Sequence, residues 1–132
     1  MKIDVKKKNI LVFAPHNDDE VLGVGGTMAV LAKKNELYVC EVTTSMSKES
    51  LNKMRPEAQR AHNLLGVKKT FFLDLPVVGI RTIEQRDVTK RFSDVINEVK
   101  PNIVFIPHEG DIHIDHQDTA HAAMVALRPP QN

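Results

Sequence analysis

The chain has 132 residues, 18 Lys and Arg against 17 Asp and Glu, and 42% hydrophobic residues. Single domains commonly run to about 100–150 residues, so one domain with its own core is expected and needs no staple merely to fold. The formal charge of +1 gives no support to a nucleic-acid or acidic-membrane partner. A lone Cys40 excludes an internal disulfide and a cysteine-rich zinc site.

The first apolar run, Ile10–Ala14, is too short for the core of a signal peptide and leads straight into His and acids. No stretch approaches the roughly 20 apolar residues of a membrane span, so a soluble cytoplasmic protein with no membrane span is expected. Ile10–Ala14, Leu37–Val42, Thr70–Leu73 and Ile103–Ile106 lack strict alternation and read as strands buried on both faces. Helical period runs between them. Glu20–Lys34 ends in Lys-Lys-Asn, and its Gly23, Gly25 and Gly26 suggest close packing of backbone on the sheet. Pro56–Leu65 opens on a proline suited to a first helical turn and stops at Gly66. Ile83–Val99 places Val88, Phe92, Val95, Ile96 and Val99 on one face, and a last helix is broken by Arg128-Pro129-Pro130. Ser45–Leu51 and Leu75–Thr82 read as loops. Strand and helix alternate four times, which predicts an α/β, Rossmann-like three-layer sandwich with a mainly parallel sheet.

In such sheets ligands bind beyond the carboxyl ends of the strands. Past the first strand comes Pro15-His16-Asn17-Asp18-Asp19-Glu20; past the fourth comes the stretch from Pro107 to His116, where four of the six histidines begin to crowd. His16 and Asp19, three residues apart at a strand-to-helix turn, can converge on one ion, and His116 completes a His–Asp–His set. Three protein ligands and one open position form a catalytic zinc arrangement. Asp18 then faces a bound water, His113 faces the same cavity, and Asp115 can orient an imidazole through its other ring nitrogen. His62, inside a helical segment, is expected to be exposed. His108 can line the cavity, His121 is read as structural or surface, and neither receives a role. Lys6-Lys7-Lys8 reads as a solvated terminus.

Ala14-Pro15-His16-Asn17-Asp18-Asp19-Glu20 with the glycines that follow resembles the A-H-P-D-D-E opening of the LmbE-like, or PIG-L, de-N-acetylase family. Asp111-x-His113-x-Asp115-His116 resembles that family's H-x-D-H motif, and the Arg55–Val67 and Phe72–Pro76 segments match its middle region in order. The resemblance implies a zinc-dependent N-acetylglucosaminyl deacetylase acting on a small amino-sugar conjugate. It implies His16, Asp19 and His116 as zinc ligands and Asp18 as general base. It also implies His113 as the group facing the oxyanion or departing amine, Asp115 as its orienting partner, and Arg55 as a substrate-binding residue. Asn17 replaces the family's usual proline, whose fixed φ would stiffen the turn. The resemblance further implies one catalytic-type domain over 1–132 that stops short of the family's usual C-terminal portion, an edge whose exposed apolar surface would favour a homo-oligomer.

Hydrolysis by attack of a zinc-bound water on the acetyl carbonyl follows from that reading, and the ligand types also suit iron, cobalt or manganese. Two rival readings remain beside it. The short chain suggests a non-catalytic zinc- or sugar-binding module, and His/Asp clusters at strand ends also serve metal-dependent phosphoesterases.

Overall fold

The structure is a computed structural model that describes residues 4–44 and 47–129. Four parallel strands stand in the order β3-β2-β1-β4: β1 is Asn9–Ala14, β2 Glu36–Thr44, β3 Lys69–Pro76 and β4 Ile103–Phe105. The helices are α1 (Asp19–Leu31), α2 (Lys48–Leu65), α3 (Gln85–Val99) and α4 (Ile114–Leu127), with a 3-10 turn at Ile80–Thr82. Side chains alternate across the sheet, which divides the core in two. Ile10, Val12, Leu37 and Val39 pack under Met28 and Leu31 of α1. Leu11, Phe13, Cys40 and Val42 face α3 and α4 through Val88, Phe92, Val95, Ala122 and Ala123, with the Phe13 and Phe92 rings stacked 4.8 Å apart. The three expected layers are present.

Three local expectations change. α2 begins at Lys48, eight residues before Pro56, because Ser47 caps it by accepting the Ser50 N–H at 3.1 Å. Pro56 cannot serve the carbonyl of Asn52, but both residues are exposed, so solvent can take the missing place. Of the loop expected over Ser45–Leu51, Ser45 and Met46 lie outside the described residues, as does Pro130 of the expected helix breaker. The glycines of α1 do not permit a close approach. A Cβ at Gly23 or Gly26 would meet open space, and one at Gly25 would make only ordinary contacts. The helix instead leans on the sheet through Val24, Met28 and Leu31.

β3 continues through Leu75 and Pro76, which were expected to be loop. Its pairing with β2 slips by one residue, from Glu41↔Phe72 to Thr43↔Leu75. The extra residue falls where Asp74 adopts φ 55°, as in a bulge that re-aims a side chain. At the far end of α2, Gly66 takes φ 82°, and its N–H closes the helix onto the carbonyls of His62 and Asn63. Among the described residues no helix is long and apolar enough to cross a membrane.

Candidate metal centre

β1 has β2 on one side and β4 on the other, with Val12 paired to both Val39 and Phe105. The loops leaving β1 and β4 therefore open a crevice where strand order reverses, the place such sheets use for ligands. His16 lies in the first loop, Asp19 opens α1, and His113 and His116 stand at the start of α4.

The triad nominated from the sequence comes together there. Asp19 Oδ2 lies 3.2 Å from His16 Nδ1 and 3.1 Å from His116 Nε2, and it also accepts the His16 backbone N–H at 2.9 Å. Donors about 2.0–2.2 Å from one tetrahedral ion would sit about 3.4 Å apart, so the spacing suits a single metal. Each imidazole is held from behind through its second nitrogen. His16 Nε2 is 2.8 Å from Asp115 Oδ2, and His116 Nδ1 is 3.0 Å from Asp111 Oδ2. Such carboxylate–imidazole pairs fix ring orientation and leave the other nitrogen for a metal. The donor set and its supports fit a divalent transition metal.

Hydrogen bonding to Asp19 raises the His16 pKa to about 9 against the opposing effect of burial, with Asp115 adding to the rise. Burial pushes the Asp19 carboxyl up, but its bonds from His16 and the nearby His116 imidazole outweigh that and hold it below the usual carboxylate range. The His113 backbone N–H, followed by the His116 ring, likewise lowers Asp111.

The other nominated residues take varied positions. Asp18 is the N-terminal cap position of α1, exposed, and its side chain makes no capping bond. Asp115 is fully buried, and its carboxylate also accepts the Val78 N–H, at 2.9 Å to Oδ1 and 3.0 Å to Oδ2. Towards His113 it offers its backbone: the Asp115 N–H donates to His113 Nδ1 at 3.1 Å. A nitrogen that accepts carries no proton, so the neutral His113 ring keeps its proton on Nε2. That ring lies edge-on to His16, with centroids 4.7 Å apart. Arg55 stands outside the triad, paired with Asp74 and 4.9 Å above the Phe72 ring, beside a narrow crevice that Asn17 also lines. His108 borders a cavity of about 380 Å³ that also reaches Asp19, His116, Leu22 and Phe105. His121 is exposed.

Two features escaped the sequence reading. Asp111 anchors His116 by its side chain, accepts the His113 N–H at 2.9 Å, and takes the Gln117 amide on its carbonyl at 2.6 Å. Its place two and five residues before those histidines is the signal that could have found it. His62 is not exposed but 1% accessible. Its Nε2 is 2.8 Å from Glu20 Oε1 and 3.4 Å from Glu41 Oε1, and its Nδ1 is 2.7 Å from Thr70 Oγ1. Three residues remote in sequence thus form a buried polar cluster behind the first turn of α1.

The family described as GlcNAc-PI de-N-acetylase, PIG-L, matches residues 11–127. An uncharacterised deacetylase of Escherichia coli (strain K12), YaiS, is 29% identical over 93% of this chain and 70% of its own. A probable N-acetyl-alpha-D-glucosaminyl L-malate deacetylase 2 of Bacillus subtilis (strain 168) is 30% identical over 92% of this chain and 61% of its own. The structure of the N,N'-diacetylchitobiose deacetylase from Pyrococcus horikoshii superposes with a TM-score of 0.76 at 29% identity, covering 93% of this chain and 49% of that one. The chain thus spans from about half to seven-tenths of the length of these proteins.

Proposed function

Because the chain belongs to the PIG-L family of de-N-acetylases, we propose that it is a metal-dependent hydrolase that removes acetyl from an N-acetylglucosamine-type conjugate. The observation that carries this reading is the convergence of His16 Nδ1, Asp19 Oδ2 and His116 Nε2 in the crevice, with each imidazole backed by a carboxylate. These three residues would hold zinc, and similar ligand sets also take iron, cobalt or manganese. When bound, the metal supplies a Lewis acid and lowers the pKa of a coordinated water towards about 7.

Asp18, spared from capping, takes the proton of the attacking water and later returns it to the departing amine. The water oxygen joins the acetyl carbon, the C–N bond breaks, and acetate and a free amino sugar leave. His113 points its Nε2–H at the carbonyl oxygen as negative charge grows there, a role for a neutral donor. Asp115 holds His16 through its carboxylate and His113 through its backbone N–H, so one residue orients both rings. Arg55, steadied by Asp74 and Phe72, is suited to hydroxyl groups of the sugar conjugate. The GlcNAc conjugates named for the Bacillus subtilis and Pyrococcus horikoshii proteins support that substrate class. A small-molecule amino-sugar substrate and action in the cytoplasm complete the reading.

Metal analysis paired with an amine-release assay over a panel of N-acetylglucosaminides tests it. One equivalent of zinc with released amine is expected. Zinc bound without release from any member of the panel would instead identify a non-catalytic binding module. His116→Ala should lose the metal, and full occupancy in that variant would remove His116 from the ligand set.

A further inference from the structure

α1 touches the sheet mainly through its later turns, by Val24, Met28 and Leu31. In its first turn Glu20 is the one buried side chain: Asp19 is half-buried, and Val21 and Leu22 are exposed. A glutamate there is a costly way to fill space, since a buried carboxylate must be paired and an apolar side chain of similar size would pack at least as well. What the carboxylate adds is direction. Its Oε1 accepts from His62 Nε2 at 2.8 Å, so the turn is held at one rotation about the helix axis.

His62 is itself firmly placed. It is one of two buried residues of α2, with Ala58, and its second nitrogen is tied to Thr70 on β3. The same Nε2 is flanked by Glu41 on β2. The cluster therefore references the first turn of α1 to α2 and to two strands at once. Asp18 and Asp19 immediately precede the anchored residue; Asp19 lines the crevice and Asp18 is exposed beside it.

We infer that His62 is a positioning residue for the metal centre: through Glu20 it sets the turn of α1 that carries Asp18 and Asp19. The inference rests on the metal-centre reading above. With Glu20 released, the turn keeps only its local bonds, such as that from the His16 N–H to Asp19 Oδ2, and the site loses part of its preformed geometry rather than its ligands.

Three proteins test this: His62→Gln, which retains an amide donor for Glu20, His62→Leu, which does not, and a triple variant, Glu20→Leu, Glu41→Val and His62→Leu. The triple variant replaces the whole cluster with apolar side chains and keeps the core filled. Two readouts are taken on each. One is cobalt(II) affinity with its visible absorption band. The other is amide hydrogen exchange of residues 19–22, referenced to the β1 amides of residues 11–13. The triple variant should melt near wild type, bind cobalt about tenfold more weakly with an altered band, and exchange faster at residues 19–22 alone. His62→Gln should lie between wild type and His62→Leu.

Wild-type affinity, band and exchange in the triple variant would overturn the inference. Wild-type protein that binds no cobalt would sink the metal-centre reading and, with it, the part assigned to His62 at that centre. The exchange comparison would then report separately whether the cluster holds the turn. A second equivalent of metal that disappears in His62→Gln would show that the cluster is itself a metal site, and would also overturn the inference.

Discussion

His16 meets a carboxylate at each ring nitrogen, Asp19 at Nδ1 and Asp115 at Nε2, and its protonated form is favoured up to about pH 9. Metal binding through Nδ1 must displace that proton, so affinity should rise with pH through neutrality and level off near 9, with protons released on binding. Titration calorimetry in buffers of different ionisation enthalpy measures both. The metal-free protein should respond in the opposite sense. A histidine raised from 6.5 to about 9 by folding contributes its full stability below about 6.5 and loses it as pH climbs through 9. His62, which burial lowers but the Glu20 and Glu41 bonds raise to about 9, has the same sign. Melting temperatures in chelator should therefore fall between pH 6.5 and 9, and a flat profile would contradict the pairings described. Asp18→Asn should lower turnover by about 10²–10⁴-fold with metal content unchanged, and an equal loss of metal would reassign Asp18 to the ligand set.

Among the elements, the segment from β3 to the 3-10 turn carries the most evident backbone strain. Val78 adopts φ 56°, a region that β-branched residues avoid, and from there its N–H reaches the Asp115 carboxylate. The side chain is 62% exposed, so little packing is lost on removing it. Val78→Gly should thus stabilise the protein by up to about 1 kcal/mol, the relief of strain being partly offset by the entropy of an added glycine. A higher urea midpoint at unchanged m-value is the expected result. This conformation is invisible in the local sequence, where Val77-Val78 reads as any apolar pair. The four strands, in contrast, are evident as short apolar runs because β1 and β2 are buried on both faces, while the edge strands β3 and β4 are half-buried and still turn Phe71, Leu73, Val104 and Phe105 towards the two cores. The start of α2 was obscured because Pro56 suits a first helical turn, whereas an exposed proline within a helix costs less than a buried one. The Glu20–His62–Glu41 cluster could not be read at all. Its members lie on three elements, and nothing in any one segment shows that a polar residue has turned inward.

For the whole molecule, the position of the candidate site follows from strand order, and that made much of it legible. Once β1 and β4 are neighbours, the acids after one and the histidines after the other must share a crevice, so His16, Asp19 and His116 can be nominated before any contact is known. Asp111 was not nominated because its neighbours in the motif offered equally good donors, and only the direction of the His116 ring distinguishes it. The same arrangement has a kinetic consequence. The proposed ligand set spans positions 16 to 116, and β4, which brings α4 to β1, pairs with it over only three residues. A metal bridging His16 and His116 closes a loop of about a hundred residues and joins the two helical layers, so it cannot gather its ligands until the last strand has docked. Metal should consequently leave the refolding rate nearly unchanged and slow unfolding, as expected of an interaction absent from the transition state. Stopped-flow refolding and unfolding with and without zinc would test this, and faster refolding in zinc would contradict it. On this account the ion acts as a late clasp on an assembled chain, protecting it by residence time rather than by guiding its assembly.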